Sequence, residues 1–418
     1  MERRHFLGTL GAAAVAPSFV TADEAPTKTP EENGSLFRSP CVLQNPKEDS
    51  ITVAWCVNGP ATGWVEWGLA ADKLDQKADG AVFGLRPFSE NTIIVRVSGL
   101  RANTRYFYRA ACAKVDFKGS YDITTFEPEY TPVYSFVTPG AAGESGSFSI
   151  LNDTHQNVEV LKKLTAKIAD LNAAYTIWNG DLTNNIESRE QIVKYIMAPC
   201  QAANAMEKPL LLSRGNHDHR GRLARVLPEY LTPWEQEKFA FRGLGYSYVV
   251  RQGDLAILGM DTGEDKPDFR REWAGLASFE PYIAQQGAWL AEVMESESVK
   301  TAKFVVLTCH IPLFDDRPIA NPGTLETGYS SWKKIAWDAW GPTLQKHGVQ
   351  LVVAAHVHRH RVDPATSDRC WTQITGGGCS PTQTPTVIHG AIANGKLVVE
   401  VHDVFGGTVL ARLEWNPR

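Results

Sequence analysis

The chain has no excess of basic residues: 42 Lys and Arg stand against 47 Asp and Glu, a formal net charge of −5. Nucleic acid and anionic membrane surfaces require the opposite balance, so neither partner is expected. No apolar run reaches the ~20 residues a helical membrane span needs, and none is expected in the mature chain. The seven cysteines include no Cys-x-x-Cys pair, which argues against a cysteine-ligated zinc site. Their odd number leaves at least one unpaired within the chain, and no connectivity follows from their spacing. Neither a repeat of fixed period nor a low-complexity tract is present. What is present is the balance of a soluble globular protein, 43% hydrophobic and 21% charged. At 418 residues the chain exceeds what one core ordinarily serves, which predicts two domains.

The first residues read as a targeting segment. Arg3 and Arg4 precede Phe6-Leu7, a weakly apolar Gly/Ala-rich run extends to Val20, and Val20-Thr21-Ala22 comes just before Asp23. A charged start, an apolar middle and a small-residue exit are the parts of a cleavable signal. The paired arginines resemble the twin-arginine type. Residues 1–22 are thus expected to be removed on export to the periplasm or the exterior. Residues 23–36, rich in Pro, Thr, Glu and Gly, are expected to form a linker.

From 37 to 140 the pattern is all β. Ile51–Trp55, Gly63–Trp67, Thr92–Val97, Arg105–Ala110 and Tyr134–Val137 are short segments of strand character, the first two alternating with period two, and turn chemistry at 98–103 joins the third to the fourth. These features predict a β-sandwich. Gly99-Leu100 and Thr104-Arg105-Tyr106-Phe107-Tyr108-Arg109 resemble the fibronectin type III-like domain that precedes the catalytic domain in purple acid phosphatases.

Beyond the small-residue stretch 141–147 the rhythm becomes strand-then-helix. Apolar strands are expected at 148–152, 175–179, 210–213, 303–308 and 350–355, and helices at 157–172, 187–206, near 284–297 and near 333–346. Strand-like alternation returns from Trp371 to Trp415. The prediction for 147–418 is a layered α/β domain with buried strands. Cys309, inside an apolar run, reads as a small buried hydrophobe.

Polar residues gather where these strands end: Asp153-Thr154-His155, Gly180-Asp181, Gly215-Asn216-His217-Asp218, His310 and His356-Val357-His358. Ligand and catalytic groups of α/β sheets collect beyond the carboxyl ends of strands. Two divalent ions ~3.5–4 Å apart can share one carboxylate and clamp the attacking and leaving oxygens of an in-line displacement. Imidazole and carboxylate suit Zn, Mn or Fe. Histidines at i and i+2 point to opposite faces of an extended chain and would address two ions rather than chelate one.

This motif set, in this order, resembles the calcineurin-like metallophosphoesterases over roughly 148–360. The resemblance implies that Asp153, His155 and His358 bind one metal ion, that Asp181 bridges, and that Asn216, His310 and His356 bind the other. His217 then grips the phosphate or protonates the leaving oxygen, with Asp218 orienting its ring. The implied activity is hydrolysis of phosphate esters by a metal-bound hydroxide, most simply of monoesters as in acid phosphatases. A phosphodiesterase or nucleotidase of the same superfamily is the alternative, and a non-catalytic metal-containing binding module is the alternative of another class. Arg214, Arg220 and His219 are candidates for contacting substrate. Asp261, after the apolar run 255–260, is expected to be structural. Two departures from the family pattern stand out: Ala355 occupies the usual Gly position, and Asn184 stands where purple acid phosphatases carry the tyrosine that colours their iron.

Overall fold

A computed structural model describes residues 34–315 and 329–418. The expected leader 1–22 and most of the expected linker lie outside the described residues. Two stacked sheets form the heart of the larger unit. In the first, the strands Ser147–Leu151, Tyr175–Asn179 and Leu210–Ser213 run parallel side by side, with the antiparallel strands Thr386–Ala393, Lys396–Asp403 and Val409–Trp415 beyond them. In the second, Leu255–Gly259, Phe304–Thr308, Leu351–Ala354 and Thr372–Thr375 run parallel. Their facing sides bury Phe148, Ile150, Ile177, Leu211, Ile257, Val306 and Val353 in one core. Strands buried on both faces read as continuous apolar runs, which is why their sequences carried so clear a signal.

Helices cover the outer faces. Val158–Leu171 is capped by Asn157, whose side chain accepts from the Val160 amide, and ends at left-handed Asn172. It buries Val160, Leu161, Leu164 and Ile168 against the first sheet. On the second sheet lie Phe279–Val293 and Tyr329–Lys346. The former begins earlier than expected because Asp268 accepts from the Phe279 and Glu280 amides and supplies its cap. The expected helix 187–206 is broken. One α-turn, Arg189–Ile192, passes into a π-helical stretch Val193–Met197 and a 3₁₀ turn Ala198–Gln201. Pro199 has no amide hydrogen to continue an α-helix.

The N-terminal β-sandwich is present, with Trp55, Tyr108 and Phe136 buried between its sheets. It is not a separate bead. Its strand Val42–Lys47 pairs in parallel with Leu210–Ser213, joining the strands Ser50–Cys56 and Thr92–Ser98 to the first sheet of the larger unit as a nine-stranded whole. The Leu43 amide donates to the Ala205 carbonyl, the Gln44 side chain donates to the Tyr230 carbonyl and accepts from the Thr232 amide, and the Tyr108 hydroxyl donates to the Met206 carbonyl. All seven cysteines are unpaired; Cys309 is fully buried.

Candidate metal centre

The carboxyl ends of the parallel strands of both sheets open on one rim. Asp153 follows the first strand, Asp181 the second, Asn216 the third, His310 the strand Phe304–Thr308, and His356 and His358 the strand Leu351–Ala354. Asp153, His155, Asp181 and His358 offer ligand atoms all within 4.8 Å of one another, as do Asp181, His310 and His356. Asp181 is common to both groups. One of its oxygens lies 3.2 Å from His155 Nε2 and 3.3 Å from His310 Nε2, and the other accepts the His217 amide at 2.9 Å. Asn216 joins the second group through Oδ1, 2.9 Å from His356 Nδ1.

The backbone is bent to make this convergence. Asp153, His155, Asp181, His356 and His358 all take left-handed conformations, φ running from 43° at His155 to 69° at His356. Each such residue costs about 1–3 kcal/mol and persists only where its surroundings force it. His356 and His358 therefore face different groups through a coiled backbone, not through the alternation of an extended one. Gly215 permits the closest approach: a Cβ there would sit 2.2 Å from Asp181 Oδ1.

Electrostatics show what the site favours. Burial opposes charge on Asp153 and Asp181, yet the surrounding histidines hold both carboxyls well below the usual range. Burial likewise opposes charge on His155 and His310, but the two aspartates push them up to about 11 and about 9. Burial and the proximity of His310 lower His356 to about 4. His155 Nε2 and His358 Nε2 face each other at 3.1 Å, and Asp153 Oδ1 and His310 Nε2 are buried without a hydrogen-bond partner. Concentrated carboxylates and convergent imidazole nitrogens are a donor set for cations, and these residues fit two metal ions. Outer contacts fix the ligands: His155 Nδ1 lies 3.0 Å from Asn184 Oδ1, and His310 Nδ1 lies 2.9 Å from the Asn179 carbonyl.

Metal binding should stabilise this strained centre. An ion at 100 times its dissociation constant adds about 2.7 kcal/mol. Chelation should therefore lower the melting midpoint by several degrees, and Mn, Zn or Fe should restore it. Identical melting curves with and without chelator would contradict a metal site.

Three sequence expectations need correction. Asp218 does not orient His217; its carboxylate accepts the amides of Asp181, Leu182 and Gly215 and so holds two ligand loops together. The His217 ring is oriented through Nδ1 by the Asn184 carbonyl at 2.7 Å. Arg214 is not placed for substrate, because its guanidinium binds Asp261 and lies over the Tyr246 ring. His219 also turns to Asp261, at 3.4 Å, and packs on Phe279. Asp261 is the buried hub of that cluster and accepts from the Gly263 amide and the Tyr282 hydroxyl as well. Arg220 does reach the site: one nitrogen lies 3.0 Å from His217 Nε2 while Glu264 and Asp265 hold the rest of its guanidinium.

Asn184 thus serves two residues, its side chain holding His155 and its carbonyl holding His217. It offers no phenol, while Tyr246 and Tyr248 bond to Leu231, Ser213 and Thr308 in the core. Resonance Raman spectra of iron-loaded protein should accordingly lack tyrosinate ring modes. Their appearance would place an unforeseen tyrosine at the iron.

Comparison with known proteins identifies the family and the fold. The family model described as calcineurin-like phosphoesterase matches residues 147–360, and the chain belongs to that family of metal-dependent hydrolases. The model of the purple acid phosphatase N-terminal domain matches residues 40–138. Among solved structures, purple acid phosphatase from yellow lupin (Lupinus luteus) seeds is similar in fold, with a TM-score of 0.61 at 16% identity, covering 91% of this chain and 75% of that one. A dimetal phosphatase from Danio rerio aligns with a TM-score of 0.46 at 12% identity, covering 65% of this chain and 99% of that one. No curated protein matches the chain.

Proposed function

We propose that the protein is an exported phosphomonoesterase working with two metal ions. The observation that carries this reading is the pair of ligand groups sharing Asp181. Asp153, His155 and His358 would complete one position, and Asn216, His310 and His356 the other. When bound, two such ions supply Lewis-acid polarisation of a phosphoryl oxygen and a water nucleophile at neutral pH.

The chain's own contribution centres on His217. Burial and the neighbouring Arg220 keep its pKa below the ordinary histidine value, so the resting ring is neutral and Nε2 accepts from Arg220. A phosphate dianion in the site supplies the negative charge that favours the protonated ring. Taking that proton from solvent breaks the contact with Arg220, whose freed N–H turns to a phosphate oxygen; Nε2–H then serves the departing alkoxide while Nδ1–H stays on the Asn184 carbonyl. Arg220, anchored by two carboxylates, is the one substrate candidate of the original three beside this atom, and it suits a phosphate oxygen.

The monoester assignment draws on the purple acid phosphatase-like domain arrangement. His155 in the first motif favours the diester alternative. Export rests on the sequence of the first 22 residues; no helix among the described residues is long and apolar enough to cross a membrane. The deciding experiment is a panel of para-nitrophenyl mono- and diesters, run alongside metal analysis of the same preparation. Faster turnover of the diester would reverse the substrate assignment, and absence of bound metal after reconstitution would remove the mechanism.

A further inference from the structure

We propose that Cys379 is an additional metal ligand, its thiolate sulfur completing the ion position of His155 and His358. The inference rests on the reading that those residues hold a cation. Sγ of Cys379 and ligand nitrogens of His155 and His358 all lie within 4.8 Å of one another, a separation that one ion can span. Asp153 Oδ1 faces the same two histidines, in an overlapping ligand group that does not include Cys379. It is wholly buried, has no hydrogen-bond partner, and lies 3.2 Å from His358 Nε2 and 3.7 Å from His155 Nε2.

The fold holds the cysteine there. Its carbonyl accepts from Asn157 Nδ2 at 2.9 Å, and Asn157 is also the cap of the helix Val158–Leu171. At Gly378 a Cβ would fall 2.5 Å from the Cβ of His358, so only glycine lets this loop lie against the histidine. The Gln383 amide touches both partners, at 3.2 Å from His358 Nδ1 and 3.5 Å from Cys379 Sγ. Ligation through Nε2 leaves a proton on His358 Nδ1, which then needs an acceptor. A half-turn of the amide gives Nδ1–H the carbonyl oxygen and gives a thiolate the N–H donors, so one side chain serves both ligands.

On binding, the thiol releases its proton to solvent and a sulfur lone pair takes the coordination position. A soft ligand among imidazoles and carboxylates favours thiophilic ions such as Zn²⁺ over Mg²⁺ or Ca²⁺. No other cysteine competes for this role. Five of the other six are buried, and Cys370 donates to carbonyls at the end of the helix Tyr329–Lys346 and just beyond it.

X-ray absorption of the zinc-loaded full chain tests the assignment, with zinc content measured on the same sample. Wild-type protein carrying two zinc ions should show a sulfur shell at about 2.3 Å, averaging about half a sulfur per zinc. Cys379→Ser should lose that shell entirely, leaving nitrogen and oxygen at about 2.0–2.2 Å. Two zinc ions with only nitrogen and oxygen neighbours in the wild type would overturn the ligand and leave the dinuclear reading standing. A sulfur shell that persists in Cys379→Ser would overturn it equally. A chain that takes up no zinc would overturn both this inference and the reading beneath it.

Discussion

Asp181→Asn should deprive the protein of both metal ions and of its activity together. The carboxylate lies between His155 and His310 and belongs to both ligand groups. An asparagine of the same shape keeps an oxygen for the His217 amide, so the loop geometry survives. What disappears is the negative charge that two cations would share at a wholly buried point. Changes to residues behind a ligand already cost roughly 10–100-fold in metal affinity, and loss of the shared ligand should exceed that. Turnover should fall by more than the roughly 10²–10³-fold that one lost electrostatic stabiliser costs. Elemental analysis beside a melting curve separates lost metal from lost fold. A variant that keeps two equivalents of metal and its rate would remove Asp181 from the bridging position.

His217→Ala should lower turnover roughly 10²–10⁴-fold, the usual contribution of a positioned acid, and leave both ions in place. Its ring touches Asn184 and Arg220 and takes no part in either ligand group. The loss should be greatest for alkyl phosphates and shrink for para-nitrophenyl phosphate, because nitrophenolate departs without a proton. Equal losses for both substrates would limit His217 to gripping phosphate. Loss of metal with activity would make it a ligand instead.

The layered fold and the convergence of five strand ends were legible in the sequence for one reason. Strands buried on both faces are written as apolar runs, and an Asp, Asn or His at the end of such a run has little packing role. Side-chain commitments were less legible. Arg214 and His219 flank the Asn216-His217 motif, yet a single buried aspartate distant in sequence, Asp261, claims both. Asp218 adjoins His217 in sequence but is spent on backbone amides, a role that residue type alone does not reveal. Cys379 lacks any Cys-x-x-Cys spacing; its approach to the histidines depends on a glycine loop and on Asn157, far upstream. The strand Val42–Lys47 was missed because Gln44, Asn45, Pro46 and Lys47 interrupt its apolar pattern, and its pairing with Leu210–Ser213 is long-range.

That pairing matters while the protein is being made. The N-terminal unit leaves the ribosome first, but one of its strands cannot find its neighbour until Leu210–Ser213 has been synthesised. Until then Val42–Lys47 presents a row of open backbone groups, the kind of edge that pairs with other chains. Closing it late is a contact of high sequence separation, which slows folding. The sandwich is therefore expected to complete its sheet only after the larger unit has been made, leaving that edge open to other chains in the interval.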